Sequence, residues 1–336
     1  MLIETHAFAR IGLMGNPSDG YFGKTIACTF KNFKAEVKMW ESPNIEIVLN
    51  ETYDPLEFGS IDTFVETVKH EGYYGGARLL RATCYTFFNW CSDHDIELEN
   101  KNFTVSYDTS IPRQVGLGGS SAIITATVKA LMEFYNVTEN DIAKPLLSNM
   151  ILEVETKELG ITAGLQDRVA QVYEGAVFMD FAEEKMKQQG HGDYIPLDKS
   201  FLPPLFLAYT DNQSFSGKIH SEVRVKFEQG DETVSDAMRT FAQYAIDANE
   251  VLIKKDYTNF KELMNKNFEL RRSLYGDVVI GKDNLEMIRI AKSFDCPAKF
   301  AGSGGAVVGM YDNEEQFKNL EEAYTNEGFS FVKVET

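Results

Sequence analysis

The spacing of apolar residues predicts a chain that mixes strands with helices. Residues 103–107 alternate between apolar and polar positions, as strands do, and residues 123–134 place Ile124, Val128 and Leu131 at helical spacing. The same patterns predict further helices at 64–90 with a break near 72–76, and at 142–159, 165–173, 232–254, 256–272 and 283–294. They predict further strands at 7–15, 175–180, 205–210 and 307–311, and a pair of strands at 26–40 and 45–49.

A glycine- and serine-rich segment, residues 112–122, joins the strand at 103–107 to the helix that follows it. Glycines let a backbone approach a ligand closely, and a helix start presents unpaired N–H groups to an anion. Ser120 and Ser121 are suited to capping the helix or to binding Mg²⁺. The residues alone therefore fit two interpretations, a site for nucleotide phosphates or a glycine-rich turn with a serine cap.

Composition narrows the class of protein. The chain has 336 residues, enough for two domains, and its 43% hydrophobic and 25% charged content is typical of a soluble globular protein. A net charge of −18 argues against non-specific binding to nucleic acid, while a locally basic pocket can still accept a small anion. No basic head with a long apolar stretch opens the chain, so we expect a cytoplasmic protein without membrane contact. The cysteines form no Cys-x-x-Cys pair, which predicts reduced core thiols and no structural zinc at Cys28, Cys84, Cys91 and Cys296.

Residues 112–122 resemble the second signature of the GHMP kinases, the family of galactokinase, homoserine kinase, mevalonate kinase and phosphomevalonate kinase. The resemblance implies ATP binding by the matching residues, which are Pro112, Gly116, Leu117, Gly118, Gly119, Ser120, Ser121 and Ala122. One extra glycine leaves open whether Ser120 or Ser121 takes the metal-ligand position. The implied fold is α+β in two domains, an N-terminal ATP-binding domain at 1–204 and a C-terminal domain at 205–336, with the active site in the interdomain cleft.

Two more segments are similar to the other signatures of the family. Residues 10–19 resemble the first, which implies that Arg10 lies near the transferred phosphoryl group and that Asp19 contacts substrate hydroxyls. Residues 299–306 resemble the third, which implies a loop that faces the substrate through Gly302, Ser303, Gly304 and Gly305. Without the resemblance, Arg10 would be interpreted as a surface charge at a strand end, and the glycine run as an ordinary turn.

The acidic residues of 154–167 complete the predicted catalytic set. This segment resembles the galactokinase and mevalonate kinase region that supplies a metal ligand and then a catalytic aspartate. The resemblance implies that Glu155 binds Mg²⁺ together with Ser121, and that Asp167 is the catalytic base. The alternatives are a solvated helix face for Glu155 and a carboxylate favoured by the helix dipole for Asp167.

Segments 111–117, 216–221, 267–276 and 299–308 resemble the glucuronokinases within this family. This implies an ATP- and Mg²⁺-dependent enzyme, monomeric or homodimeric, that phosphorylates D-glucuronate at the anomeric hydroxyl to give the 1-phosphate. The alternatives are another sugar or a mevalonate-type substrate, and a non-catalytic sugar sensor. The sequence does not choose among the cations suited to a uronate carboxylate, which are Lys24, Arg113, Arg168, Lys218, Arg271 and Arg272. It also leaves open whether core packing or an adenine ring engages Tyr73, Tyr74, Tyr85, Phe87, Phe88 and Trp90.

Overall fold

The computed structural model describes residues 2–71, 75–210 and 219–336. The chain forms two compact units. The first unit comprises Met1–Phe8, Phe33–Ile111 and Gly119–Val172, and the second comprises Ala9–Asn32, Pro112–Gly118 and Tyr173–Thr336. The chain passes from one unit to the other within its two longest strands, β1 (Leu2–Met14) and β2 (Lys24–Ser42), and within the glycine/serine segment. The predicted domain limits of 1–204 and 205–336 stay a prediction.

In the first unit, the C-terminal half of β2 lies antiparallel to β4 (Asn102–Thr109). Ala35, Val37 and Met39 are buried and alternate with exposed residues, the pattern of a strand with one face on a core. The short strand β3 (Glu46–Ile47) runs parallel to β4, so the predicted pairing of 45–49 with 26–40 is wrong. Pro43 follows β2 and has no N–H to continue the ladder, so β2 and β3 do not form a tight hairpin.

The helices of the first unit match the predicted positions closely. Helix α3 (Gly119–Phe134) is apolar almost all round and packs against α2 (Gly76–Asp93), which explains its weak amphipathic pattern. The predicted break near 72–76 falls between α1 and α2, with residues 72–74 outside the described part. The helices are α1 (Ile61–Glu71), α2 (Gly76–Asp93), α3 (Gly119–Phe134), α4 (Lys144–Glu153) and α5 (Leu165–Tyr173).

The predicted helix at 142–159 is not continuous. After α4 the chain makes one π-helical turn, Val154–Glu158, in which Val154 and Glu155 are buried. Gly160 then adopts φ +64°, a left-handed conformation that ends the helical run. π-helical turns occur frequently at functional sites, and this one carries Glu155.

The second unit contains two antiparallel arrangements of strands. The N-terminal half of β2 pairs with β5 (Ala176–Asp180), which pairs in turn with β6 (Asp193–Leu197). A four-stranded sheet has the order β10-β7-β9-β8. Its strands are β7 (Leu205–Tyr209), β8 (Ala298–Phe300), β9 (Ala306–Met310) and β10 (Ser330–Lys333).

Helices cover the four-stranded sheet and form the main core of the second unit with it. Phe206, Phe241 and Met287 are fully buried in this core. Asp231 caps α8 (Glu232–Ile253) by accepting a hydrogen bond from the backbone N–H of Val234 at 3.1 Å. The helices are α6 (Glu183–Gln189), α7 (Ile219–Glu228), α8 (Glu232–Ile253), α9 (Tyr257–Tyr275), α10 (Asp277–Ile280), α11 (Lys282–Ser293) and α12 (Glu314–Asn326).

Two features bear on the predicted setting of the protein. All four cysteines are free and buried, which confirms the prediction of core thiols. In the described residues, no helix combines the length and apolar character that a membrane span needs.

Candidate active site

Ser120 and Glu155 meet in the first unit. Ser120 is the second residue of α3, directly after Gly119, and its Oγ donates a hydrogen bond to Oε1 of Glu155 at 2.7 Å. Glu155 is 2% exposed, so it is not the solvated helix face of the alternative interpretation. Ser121, the neighbour that was predicted to share a metal with Glu155, is fully buried in α3. The structure therefore brings Ser120 to Glu155, and the assignment of Ser121 as a metal ligand stays a prediction.

Arg168 connects Glu155 to Asp167. Its guanidinium forms a buried ion pair with Oε2 of Glu155, lies 3.6 Å from Oδ2 of Asp167, and donates to the carbonyl of Gly164 at 2.8 Å. Asp167 stands in the first turn of α5 with its side chain 18% exposed, while Arg168 is almost fully buried. Arg168 was considered above as a cation for a substrate carboxylate, but it already forms an ion pair with a carboxylate of the protein. Sequence reasoning missed this role, since nothing in a spacing of thirteen residues signals the pair.

The oxygen donors at Ser120 and Glu155 suit Mg²⁺, a hard cation that binds carboxylates and hydroxyls and keeps several of its waters. Within the described part of the chain, Oε1 of Glu155 accepts its hydrogen bond from the hydroxyl of Ser120, while Arg168 holds Oε2 and so fixes the orientation of the carboxylate. Within the described residues, no group of three or more His, Cys, Asp or Glu side chains forms a metal cluster. The hydroxyl of Ser120 and the carboxylate of Glu155 thus fit an ion that binds one or two protein oxygens.

Arg10 lies in the second unit, at the meeting point of three predicted segments. Its backbone N–H donates to the carbonyl of Leu117 at 3.0 Å, and its Nη1 donates to the carbonyls of Gly116 at 2.8 Å and Ala301 at 3.0 Å. Gly12 adds a backbone bond to Ala301 at 2.7 Å. Arg10 is 5% exposed, so the interpretation as a surface charge at a strand end does not hold. The second unit therefore joins the first signature to the start of the second and to the third.

The glycines of these loops allow two backbones to come close. A Cβ at Gly302 would stand 2.1 Å from the carbonyl oxygen of Gly116, and one at Gly305 would stand 2.9 Å from Cα of Val115. Gly116 adopts φ +70°, which other residues rarely reach. Packing between the loops is therefore sufficient reason for glycine at 116, 302 and 305. Substrate contact by Gly302, Ser303, Gly304 and Gly305 stays a prediction.

Two buried cations contact the first and third loops: Lys299, for which the sequence predicted no individual role, and Arg271, one of the candidate cations for a substrate carboxylate. Nζ of Lys299 donates to the carbonyls of Gly12 at 2.7 Å and Phe300 at 2.8 Å and to Oδ1 of Asn16 at 2.6 Å. Burial, and then the charges of Arg271 and Arg10, hold the pKa of Lys299 well below its ordinary value. Arg271 on α9 donates to the carbonyls of Gly302 at 2.9 Å and Ser303 at 3.2 Å, and burial lowers its pKa as well. The sequence gives little signal for the burial of either cation, because lysine and arginine side chains are mostly exposed.

The remaining candidates are Asp19 and the other cations considered for the substrate carboxylate, and their surroundings differ. Asp19 lies in the 3-10 turn Ser18–Tyr21, near enough to Arg271 and Tyr275 to influence the pKa of both. Lys24 pairs with Asp180, Arg272 pairs with Asp277, Arg113 is half-buried, and Lys218 lies outside the described residues.

Among the aromatic residues considered for adenine, the described ones have ordinary surroundings. Phe87 is fully buried in a ring cluster with Phe88 and Tyr135, and Trp90 stacks on His94 with ring centroids 3.7 Å apart. Tyr85 is exposed, and Tyr73 and Tyr74 lie outside the described residues. Phe87 therefore belongs to the core, and no aromatic contact with adenine is assigned.

Comparison with known proteins indicates the same family as the three signatures. Residues 79–175 match the family model of the GHMP kinases N terminal domain, and residues 248–330 match that of the GHMP kinases C terminal. The probable glucuronokinase 2 of Arabidopsis thaliana is 49% identical over 98% of this chain and 90% of its own length. Glucuronokinase 1 of the same plant is 47% identical over 99% of this chain and 91% of its own length.

Solved structures agree on the fold, which is the mixed α+β architecture in two domains that was expected. The galactokinase of Lactococcus lactis, solved in complex with galactose, superposes with a TM-score of 0.75 at 15% identity, covering 99% of this chain and 93% of that one. The relatives, the family models and the fold all point the same way, and the chain belongs to the GHMP kinase family.

Proposed function

We propose that this protein is an ATP- and Mg²⁺-dependent kinase that phosphorylates a sugar acid, D-glucuronate, at its anomeric hydroxyl to give glucuronate 1-phosphate. The observation that carries the proposal is the 49% and 47% identity to two glucuronokinases over almost the whole chain. The buried positions of Arg10 and Glu155 and the partial exposure of Asp167 support it. The kinase relatives imply ATP as the phosphate donor.

The proposed reaction transfers one phosphoryl group. The anomeric oxygen forms a bond to the γ-phosphorus of ATP, the bond from that phosphorus to the bridging oxygen breaks, and ADP leaves with the electron pair. The hydroxyl proton goes to the carboxylate of Asp167, the general base. Arg10 offsets the charge on the phosphoryl oxygens, and its two carbonyl partners hold the guanidinium in place beforehand.

Metal binding falls to Glu155 and to the serines at the start of α3 in this proposal. When bound, Mg²⁺ neutralises phosphate charge and helps to orient the nucleotide. The hydrogen bond from Ser120 to Glu155 supports Ser120 as the serine involved. Arg168 keeps Oε2 of Glu155 engaged, which leaves Oε1 to face the metal.

The decisive experiment is a substrate panel. Purified protein with ATP and Mg²⁺ is offered sugars, sugar acids and mevalonate compounds, ADP release is followed, and the position of the phosphate is found by NMR. We expect D-glucuronate to give the 1-phosphate with the highest kcat/KM. A preference for a neutral sugar or for mevalonate would contradict the proposal. Sugar binding without ADP release would identify a sensor. The cytoplasmic location and the monomeric or homodimeric state stay predictions.

A further inference from the structure

Arg271 is a buried guanidinium that is held by carbonyl oxygens and aromatic rings. It is 5% exposed, and it donates hydrogen bonds to the carbonyls of Gly302 and Ser303. Its central carbon lies 4.5 Å from the ring centroid of Phe300 and 5.5 Å from that of Tyr275. Among the described residues, no carboxylate forms an ion pair with it. Arginine has five N–H donors, so these two bonds leave it unsaturated.

The surroundings of Arg271 concentrate positive charge. Lys299 and Arg10 are buried close by, and both Arg271 and Arg10 act on the pKa of Lys299. A buried charge is costly unless it is paired, and partial dipoles of carbonyls offset only part of that cost. The whole chain carries −18, so a basic pocket of this kind is a local exception. These residues of the second unit therefore favour an anionic ligand.

The neighbours of Arg271 indicate which anion. Asp19, Tyr21 and Tyr275 lie close enough to influence its pKa. A carboxylate and two phenols can bind sugar hydroxyls, and Asp19 would repel a doubly charged phosphate group more strongly than a singly charged carboxylate. A ring that carries hydroxyl groups and one carboxylate matches both kinds of neighbour. A guanidinium also binds a carboxylate with two parallel hydrogen bonds, which fixes its orientation.

The other candidate cations are less suitable. Three are already paired with protein carboxylates, and one lies outside the described residues; these are Lys24, Arg168, Arg272 and Lys218. Arg113 is half-buried, so Arg271 is the more completely desolvated of the two that remain. Resting on the function proposed above, we propose that Arg271 binds the carboxylate of the sugar-acid substrate and thereby selects acids over neutral sugars.

The test compares an acid with its uncharged analogue. We would measure kcat/KM for D-glucuronate and D-glucuronamide, and the KM for ATP, in the wild type, in Arg271→Gln and in Arg272→Gln. The adjacent Arg272 is a matched control, since it is exposed and paired with Asp277. Arg271→Gln should lower kcat/KM for glucuronate by about 10²–10³-fold, because truncating one partner of a buried charge pair has effects of that order. The value for the amide should change less than about threefold, and Arg272→Gln should resemble the wild type.

The other outcomes have distinct meanings. Equal losses of kcat/KM for glucuronate and glucuronamide would show that Arg271 only supports residues 302–303. That result would overturn the inference. A raised KM for ATP with an unchanged acid preference would assign it to the phosphates. If the wild type phosphorylates no sugar acid, the proposed function fails as well, which the wild-type assay shows by itself. Should Arg271→Gln not fold, Arg271→Lys carries the test. Lysine keeps the charge but lacks the planar guanidinium. The ratio of kcat/KM for glucuronate to that for the amide should therefore fall about tenfold. An unchanged ratio would overturn the inference.

Discussion

The ion pair between Arg168 and Glu155 offers the sharpest test of the site geometry. The two side chains are 4% and 3% exposed, so neither charge has water as an alternative partner. Replacing Arg168 by glutamine leaves the carboxylate of Glu155 buried without its cation. Breaking a buried pair in this way costs about 3–5 kcal/mol of the free energy of unfolding. For a domain of this size, the melting temperature should fall by roughly 6–20 °C.

The assay is a double-mutant cycle followed by urea unfolding. The wild type is compared with Arg168→Gln, Glu155→Gln and the double variant, each in the absence of nucleotide. Arg168→Gln leaves the buried carboxylate of Glu155 without its cation, and Glu155→Gln leaves Arg168 with only the longer contact to Asp167, whereas the double variant removes both charges of the buried pair. The double variant should therefore lose about 2–3 kcal/mol less than the sum of the two single variants.

Arg272→Gln is the control for this cycle, because its pair with Asp277 has side chains 43% and 51% exposed. An exposed pair contributes about 0–1 kcal/mol. The reasoning would be refuted if the stability losses of the two single variants add up to the loss of the double variant within about 0.5 kcal/mol. An Arg168→Gln variant as stable as the control would also refute it, since the buried pair would then contribute no more than a surface one.

Three further outcomes are expected. Asp167→Asn should reduce single-turnover phosphorylation by about 10²–10⁴-fold with an unchanged melting temperature, since it removes a base and keeps the side-chain size; near-normal turnover in a folded variant would exclude Asp167 as the base. Gly302→Ala should cost about 1–3 kcal/mol in urea unfolding, because its Cβ would meet a carbonyl oxygen at 2.1 Å, while Gly59→Ala, with no atom within 4 Å, should be nearly neutral. Ser120→Ala should raise the half-saturating Mg²⁺ concentration about tenfold and more than Ser121→Ala does; the reverse order would return the metal to Ser121.

The helices of the second unit show what sequence pattern determines well. The predictions of 232–254, 256–272 and 283–294 correspond to α8 (Glu232–Ile253), α9 (Tyr257–Tyr275) and α11 (Lys282–Ser293). Helix periodicity and caps such as Asp231 depend on residues within a few positions of one another, so the sequence carries them directly. The order of the three glycine-rich signatures likewise needed no structure, because each is a short local run.

The sequence did not show which distant segments of the chain pair with one another. The strand at 45–49 was placed beside the wrong neighbour, because alternation shows that a residue run is extended but not what it pairs with. The π-helical turn at Val154–Glu158 was missed because a change from α to π geometry leaves the apolar spacing nearly intact over five residues. That turn belongs to the segment that brings Glu155 to Ser120.

At the site, the sequence identified residues, and the tertiary structure decided their partners. Local motifs predict site roles for Arg10, Glu155 and Asp167, whereas the buried ion pair of Arg168 and the burial of Lys299 were not predicted. Their roles depend on contacts between positions far apart in the chain, such as Lys299 with Gly12, 287 residues away. Burial decides whether a cation is a surface charge or a buried support, and it is set by everything that packs around a side chain. The sequence alone thus determined the elements and the motifs, whereas long-range packing determined which charges meet, because only the folded chain removes them from water.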